Sequence, residues 1–340
     1  MTGIDKIRKA LVLASKNLKD QNYTQAQEYF EQAIKLDPKS WTIKNNLGII
    51  YKKLGQYQNA INIFQKKNKM KNVNEFFANK DKVMLVDGDL LAYRITSSLE
   101  EPIDWGNDVW TLWADLKKGK QLFLQSVGFY MGLTKSRKAI ICFSDKKNFR
   151  KQLDSGYKSY RKKIRKPICY KPLRDWIEKT HQCVSYKNLE GDDVIGLLAT
   201  GKYKNNCVIV SGDKDMRTIP AWQMCIIDDQ LEKVDNDLAD HFFCTQVLTG
   251  DISDGYKGCV GVGAVKASRV LLDKKKLWEK WEAVIKEFVR NKYQIDDAYH
   301  QARLARILRE GEYDYKLNKP QLWDYKYEQY RHFRENQKAS

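Results

Sequence analysis

Histidine is scarce in this chain. Four occur among 340 residues, at no spacing that would bring two onto one metal ion, so a zinc site is not expected. Seven cysteines are scattered without a Cys-x-x-Cys pair. Cys142, Cys207 and Cys225 lie in apolar, strand-like runs and read as reduced core residues of a cytosolic protein. No apolar run approaches the length of a membrane span and no signal peptide opens the chain, so no membrane segment is expected. A Walker-type phosphate loop is also missing, which disfavours an ATPase.

Positive charge is abundant. The net charge is +18 and the pI about 9.4, which favours a polyanionic partner over solubility alone. With 42% hydrophobic residues the chain can bury a sizeable core, and 31% charged residues do not make it disordered. Its length fits two domains, or one large domain with an accessory. Against this basic background the acids are concentrated at a few places. A surface that holds phosphate around a pocket that holds cations suits a metal-dependent nuclease.

The densest of those places is Asn188-Leu-Glu-Gly-Asp-Asp-Val-Ile-Gly. A helix beginning near Gly191 puts Glu190, Asp192 and Asp193 in its first turn, where the helix dipole favours negative charge by ~0.3–1 kcal/mol. Four apolar runs end in or near acids or lie in sequence with them: 83–86 before Asp87, 139–143 before Asp145, 207–210 before Asp213 and Asp215, and 224–227. Strands separated by helix-length segments predict an α/β domain with a mostly parallel central sheet flanked by helices. In such sheets sites form beyond the carboxyl ends of the strands. One strand-end Asp is usually a turn residue; four, beside the Glu190 cluster, are harder to dismiss. Carboxylates gathered in one place require cations, and hard oxygen donors fit Mg²⁺ or Mn²⁺.

Residues 7–74 contain a repeat of period 34, 7–40 aligning on 41–74. Leu13 pairs with Leu47, Ala14 with Gly48, Tyr23 with Tyr57, Ala26 with Ala60 and Phe30 with Phe64. The pattern resembles tetratricopeptide repeats and predicts an all-α module of helix pairs over 1–78. Two units fall short of the usual three, so the module is expected to lean on the next domain, as a stabilising cap or a partner-binding arm. That second domain runs over 79–323, with a basic, aromatic tail over 324–340.

Six of the nine residues from Lys158 to Lys166 are basic, with Tyr157 and Tyr160 interleaved. A solvated face would show the same composition. Between strands that deliver carboxylates it reads better as a phosphate clamp, with tyrosines to stack on unpaired bases. Farther on, Asp251 and Asp254 precede glycines at 258, 261 and 263, then Lys266 and Arg269. The backbone amides of such a turn can hold a phosphate at the start of a helix.

As a set, Asp87, Asp145, Glu190-Gly-Asp-Asp193, Ser211-Gly-Asp-Lys-Asp215 and Gly250-Asp-Ile-Ser-Asp254 resemble the metal-ligand series of the flap-endonuclease (5′-nuclease) superfamily. Tyr157-Lys158-x-x-Arg161 resembles that superfamily's Tyr-Lys-x-x-Arg segment, and residues 245–275 its helix–three-turn–helix element. Within the superfamily the resemblance is to the 5′→3′ exonucleases of short-tailed, T-seven-like phages, over about 82–323, with the tetratricopeptide extension as a departure. It implies a 5′-nuclease/PIN-like fold and two-metal phosphodiester hydrolysis. Asp87, Asp145, Glu190 and Asp192 would surround the first of two Mg²⁺ (or Mn²⁺) ions, with Asp193 near it; Asp213 and Asp215 would bridge toward the second, which Asp251 and Asp254 would hold, directly or through waters. Lys158 and Arg161 would act on the scissile phosphate. Tyr157, Tyr160, Gly261, Gly263 and Lys266 would contact DNA, with a monovalent cation at the glycine turn. The implied substrates are duplex DNA with 5′ ends or flaps, and RNA–DNA hybrids. Implied roles are replication, recombination or genome degradation, in the cytoplasm (the host's, if phage-encoded), with a protein partner on the repeat module. A single-strand ribonuclease of PIN type shares the strand-end acids but not the basic segment and glycine turn. The rival of another class is a non-catalytic DNA-binding scaffold that recruits partners through the repeats; a pure repeat adaptor would leave most of the chain unused.

Overall fold

The computed structural model describes residues 3–38, 40–57, 59, 60, 62, 76 and 81–325. It begins with three helices, α1 (Gly3–Lys19), α2 (Tyr23–Leu36) and α3 (Trp41–Lys53). Asn22 caps α2 by accepting from the Gln25 N–H at 3.3 Å, and Ser40 caps α3 by accepting from Ile43 at 3.4 Å, which satisfies donors a helix start leaves unpaired. Ala14, Ala26 and Ala33 are fully buried beside Phe30. Small residues let the helices approach and the ring fills the groove, as the repeat predicts. Most of the second helix of the second repeat, most of the 66–82 linker and the tail from 326 lie outside the described residues.

Strand β1 (Val83–Asp87) is followed by α4 (Gly88–Ser97) and an antiparallel ribbon, β2 (Glu101–Asp104) with β3 (Trp110–Trp113). After α5 (Leu116–Thr134) come β4 (Lys138–Cys142), the short α6 (Arg150–Leu153), α7 (Tyr170–Thr180), β5 (Cys183–Val184) and α8 (Gly191–Thr200). Then come β6 (Cys207–Ser211), β7 (Trp222–Cys225) and β8 (Leu231–Lys233). The sheet order is β5-β4-β1-β6-β7-β8, parallel except for β8 at one edge. Every residue of β1 and β6 is buried, as expected of a parallel sheet covered on both faces. One face carries Phe123, Phe129 and Leu173 from the α5 and α7 side, the other Val194, Ile195 and Leu198 from α8.

Three predicted strands fall within a residue of their expected bounds. The fourth sits at 222–225 rather than 224–227, because Ile226 begins the turn into β8. The two-residue β5 and three-residue β8 are too short for a periodic signal. Helices α9 (Asn236–Thr249), α10 (Ala264–Val270), α11 (Leu277–Arg290) and α12 (Ile295–Ala305) build a third core around Phe243, Trp281 and Phe288. The chain then returns to the sheet. A Cβ placed on Gly196 would stand 2.2 Å from the Leu308 carbonyl oxygen, so only glycine lets α8 lie directly on this returning segment. The glycine turn before α10 occupies the predicted position. Gly258 has φ +64°, and a Cβ there would meet Gly250 N at 2.2 Å.

Candidate metal centre

The carboxyl ends of β1 and β6 bring Asp87 and Asp213 to one edge of the sheet. Asp87 Oδ1 accepts from the Leu90 N–H at 3.0 Å, capping α4, and its Oδ2 accepts from Ser211 Oγ at 2.8 Å. Ser211 Oγ also accepts from the Asp213 N–H at 3.0 Å. Asp213 Oδ1 accepts from the Asp215 N–H at 2.9 Å, and Asp215 Oδ1 from Gln246 Nε2 at 2.6 Å. From α8, Asp192 joins this group electrostatically with Asp87 and Asp213; no hydrogen-bond donor reaches its carboxylate among the described residues.

Burial, then repulsion from neighbouring acids, push Asp87, Asp192 and Asp215 toward their neutral forms. Asp215 is raised to about 7, by desolvation first and Asp213 second. Asp87 is raised by desolvation first, against lowering bonds from Leu90 and Ser211, with Asp89 and Asp213 adding repulsion; Asp192 is raised by desolvation first, then by Asp87 and Asp213. Glu190 moves the other way, down to about 2: burial would raise it, but Lys158 and Arg150 outweigh burial. Lys158 Nζ lies 2.7 Å from Glu190 Oε1 and 3.3 Å from Asp254 Oδ2. Tyr157 OH is 2.8 Å from Glu190 Oε2 and 3.1 Å from Asp254 Oδ2. Arg161 reaches Asp254 Oδ1 at 2.9 Å. On the other side Lys214 Nζ holds Asp251 Oδ2 at 2.9 Å.

Among the described residues no three acids, histidines or cysteines already stand at cation-cage spacing. Three observations nevertheless fit a hard cation. The donors are all carboxylate oxygens. The Lys158 ammonium sits among Glu190, Asp254 and Asp192 as an internal counter-charge. A cavity of about 20 Å³ is bounded by Glu190, Asp192, Asp215 and Asp254 with Arg150 and Tyr157, room for roughly one water or small ion.

Several predicted site residues are placed differently. Asp193 is fully buried, and its two oxygens each take a 2.7 Å bond from Arg150; it is committed to an ion pair rather than open to a cation. Asp145 stays out of the group. Its Oδ2 accepts from the Asn188 N–H at 2.8 Å, and although burial raises it, bonds from Asn188, Lys146 and Lys147 together hold it below the usual range. Tyr157 is 2% exposed, which leaves no ring face for a base; it grips carboxylates instead. Tyr160 is exposed and its OH donates to Ser253 O at 2.6 Å. Asp251 Oδ1 is occupied by Ser253 and Asp254 donors in its own turn. Lys266 is tied to Glu287 at 2.7 Å. Gly261 has φ +84°, and neither it nor Gly263 has an atom within 4 Å of where a Cβ would stand, so that turn presents bare backbone.

Sequence reasoning missed Arg150, which also bonds Glu190 Oε2 at 3.3 Å and the Leu304 carbonyl at 3.0 Å. An arginine beside Phe149 at a helix start was the available signal. It also missed Asp89, which accepts from Ser144 N at 2.7 Å, Tyr170 OH at 2.6 Å and Arg174 at 3.2 Å.

A consequence can be measured without substrate. Asp215 has its carboxyl raised in the folded state, so the protonated acid favours folding. That contribution is complete below about pH 4 and is lost as pH rises toward about 7. The metal-chelated protein should therefore lose melting temperature from pH 5 to pH 8. Added Mg²⁺ should raise it more at pH 8 than at pH 5, where protons compete for the carboxylates. An equal Mg²⁺ shift at both pH values in a thermal melt would contradict a cation bound by these acids.

Comparison with known proteins agrees with this geometry. Residues 82–243 match the family described as 5′-3′ exonuclease, N-terminal resolvase-like domain, and residues 17–66 match a tetratricopeptide repeat. The chain is 28% identical over 279 residues to the exonuclease of Escherichia phage T7, covering 71% of this chain and 93% of that one. It is 31% identical over 192 residues to the exodeoxyribonuclease of Enterobacteria phage T3, covering 53% of this chain and 63% of that one. Its fold is similar to the phage T5 5′-exonuclease solved with bound divalent metal ions (zinc), with a TM-score of 0.52 and 15% identity over 66% of this chain and 88% of that one. By these similarities the chain is an enzyme similar to phage 5′→3′ exonucleases, with a region similar to a tetratricopeptide repeat before the matched segment. Among the described residues no helix is long and apolar enough to cross a membrane.

Proposed function

We propose that the chain hydrolyses phosphodiester bonds of duplex DNA from 5′ ends or flaps, using two Mg²⁺ (or Mn²⁺) ions held at the carboxyl edge of the sheet. The observation that carries this is the convergence of Asp87, Asp192, Asp213 and Asp215 on one edge, where burial and the neighbouring acids raise Asp87, Asp192 and Asp215 toward neutrality. Unused buried acids would only destabilise the fold; bound cations turn the same repulsion into affinity. The ions would activate the attacking water and stabilise charge in the in-line transition state. Asp87, Asp192, Asp213 and Asp215 would hold them, with Glu190 and Asp254 released to the ions once Lys158 and Arg161 turn toward phosphate. Those two cations, Lys158 within the acid group and Arg161 at its exposed side, would then stabilise the scissile phosphate. Tyr157 would steer Glu190 and Asp254 rather than stack.

The bare backbone at Gly261 and Gly263, with Lys266 behind it, suits the sugar–phosphate backbone of the duplex and reads shape rather than sequence. A monovalent cation at that turn, action on RNA–DNA hybrids and a protein partner for the repeats belong to the same reading. So does the division into a repeat module over 1–78, a nuclease domain over 79–323 and a tail over 324–340.

The test is digestion of a duplex labelled at the 5′ end of one strand and the 3′ end of the other, with Mg²⁺ or with EDTA. Mg²⁺-dependent release of the 5′ label as short products, with the 3′ label kept on shortening strands, is expected. Binding without cleavage in either Mg²⁺ or Mn²⁺ would favour a DNA-binding scaffold instead.

A further inference from the structure

The repeat module meets the second domain through a buried polar contact. Lys52, in the last turn of α3, places Nζ 2.7 Å from Tyr130 OH and 3.2 Å from Asp229 Oδ1. Tyr130 OH donates to the same Asp229 oxygen at 2.8 Å. Phe129 lies under the Lys52 ammonium at 4.7 Å, and Tyr57 packs on Phe129 while its OH donates to Gln125 at 2.9 Å. Ala60 and Phe76 belong to the same core as β1 and α5. The side chain of Asp229 is 3% exposed, so its charge depends on these partners.

Asp229 belongs to the turn Ile226–Gln230 between β7 and β8. Because β7 runs parallel to β6 and β6 to β1, this turn lies at the same edge as Asp87 and Asp213. It touches the acid corner directly. The Ile226 N–H donates to Ser211 O at 3.0 Å, and a Cβ on Gly212 would stand 3.0 Å from Ile226 Cγ1 and 3.2 Å from Ile227 Cγ1. Ser211 in turn bonds Asp87 and the Asp213 N–H. A continuous chain of contacts therefore runs from α3 to the carboxylates: Lys52, Asp229, the isoleucine turn, Gly212, Asp213.

We propose that the repeat module buttresses the metal centre, with Lys52 as a positioning residue that fixes the Ile226–Gln230 turn and thereby the Ser211–Gly212–Asp213 corner. The inference rests on the metal-dependent function proposed for this site and assigns the module a role inside the enzyme, separate from any partner it binds. Removing the Lys52 charge leaves Asp229 buried without its cation; the turn then moves to hydrate the carboxylate and the corner shifts with it.

The full chain is compared with Lys52→Met, Lys52→Arg and Asp229→Asn. Half-saturation by Mg²⁺ is read twice: from cleavage of duplex DNA, and from the rise in melting temperature of the DNA-free protein. Lys52→Met is expected to raise both half-saturation values about tenfold, the low end of what outer-shell changes cost at metal sites, with DNA binding in EDTA unchanged. Lys52→Arg should recover most of the loss, and Asp229→Asn, which keeps an acceptor for Lys52, should shift in the same direction by less. Lower melting temperatures with an unchanged Mg²⁺ half-saturation would overturn the proposal and leave the module a stabilising cap. Absence of Mg²⁺-dependent cleavage in the unsubstituted chain would instead count against the functional reading, while the thermal titration still decides the role of Lys52.

Discussion

Asp213→Asn is expected to reduce cleavage by far more than ~10²-fold, the upper range for changes outside the ligand shell of a metal site, while leaving the fold and DNA binding intact. Asp213 is exposed at the end of β6, and its charge is felt by Asp87, Asp192 and Asp215. On the proposed two-ion reading, that position would bridge the ions. The amide is isosteric and keeps an oxygen to accept from the Asp215 N–H, so the turn at 214–218 retains its cap. What is lost is one negative charge and, on the proposed reading, one ligand. Binding to duplex DNA in EDTA should be unchanged or tighter, since one phosphate-repelling charge is gone. Single-turnover cleavage at saturating Mg²⁺ separates the alternatives: full rate in the variant would remove Asp213 from the site.

Arg150→Met should produce a larger loss of stability than any other single substitution at the site. The guanidinium is 2% exposed and donates to Asp193, Glu190, and the Leu304 and Arg306 carbonyls. Met fills similar volume against Phe149 but leaves Asp193 charged and buried. Breaking a buried pair from one side costs about 3–5 kcal/mol, which at about 2–4 °C per kcal/mol for a domain of this size lowers the melting temperature by roughly 6–20 °C. Cleavage should weaken too, because Glu190 loses one of three donors. Replacing both partners, Arg150→Met with Asp193→Leu, should restore part of the stability. The recovery is partial because Asp193 also accepts from the Glu190 N–H at 3.2 Å and the Leu308 N–H at 3.1 Å. A calorimetric melt of the single variant within about 2 °C of the unsubstituted chain would contradict this role for Arg150.

The sheet was legible because β1 and β6 are buried throughout, and β4 over its last three residues, and each reads as a short apolar run that ends in or is followed by an acid. The repeat was legible because small and aromatic residues recur at a fixed interval. What stayed hidden depends on pairing across long sequence separations. Asp193 looks like its neighbour Asp192 in the sequence, and only the arrival of Arg150 from 43 positions away separates an ion-paired acid from one facing the cavity. Tyr157 likewise seemed exposed within a basic run, yet the loop at 250–255 closes over it: a Cβ on Gly255 would stand 2.8 Å from the Gly156 carbonyl oxygen. Asp145 comes after a strand much as Asp87 ends one, but the Asn188, Lys146 and Lys147 amides hold its carboxylate, so it closes a turn. Local pattern places acids at the sheet edge; the partners that decide the charge and orientation of each come from elsewhere in the chain.

The segment that returns to the sheet after α12 has a consequence for how the enzyme is made. Arg150, Asp193 and Gly196 complete their contacts only with the backbone of residues 304–308, which is synthesised more than a hundred residues after the acid helix begins. Domains fold as they leave the ribosome, N-terminal parts first, so the repeat module and the strands carrying Asp87 and Asp213 can form before the acid helix has its support. Until the returning segment docks, Asp193 lacks the Leu308 N–H, Arg150 lacks its two carbonyl acceptors, and the cavity lacks the wall made by Leu304, Ala305 and Ile307. If the site cleaves as proposed, cleavage is expected only after that segment has docked.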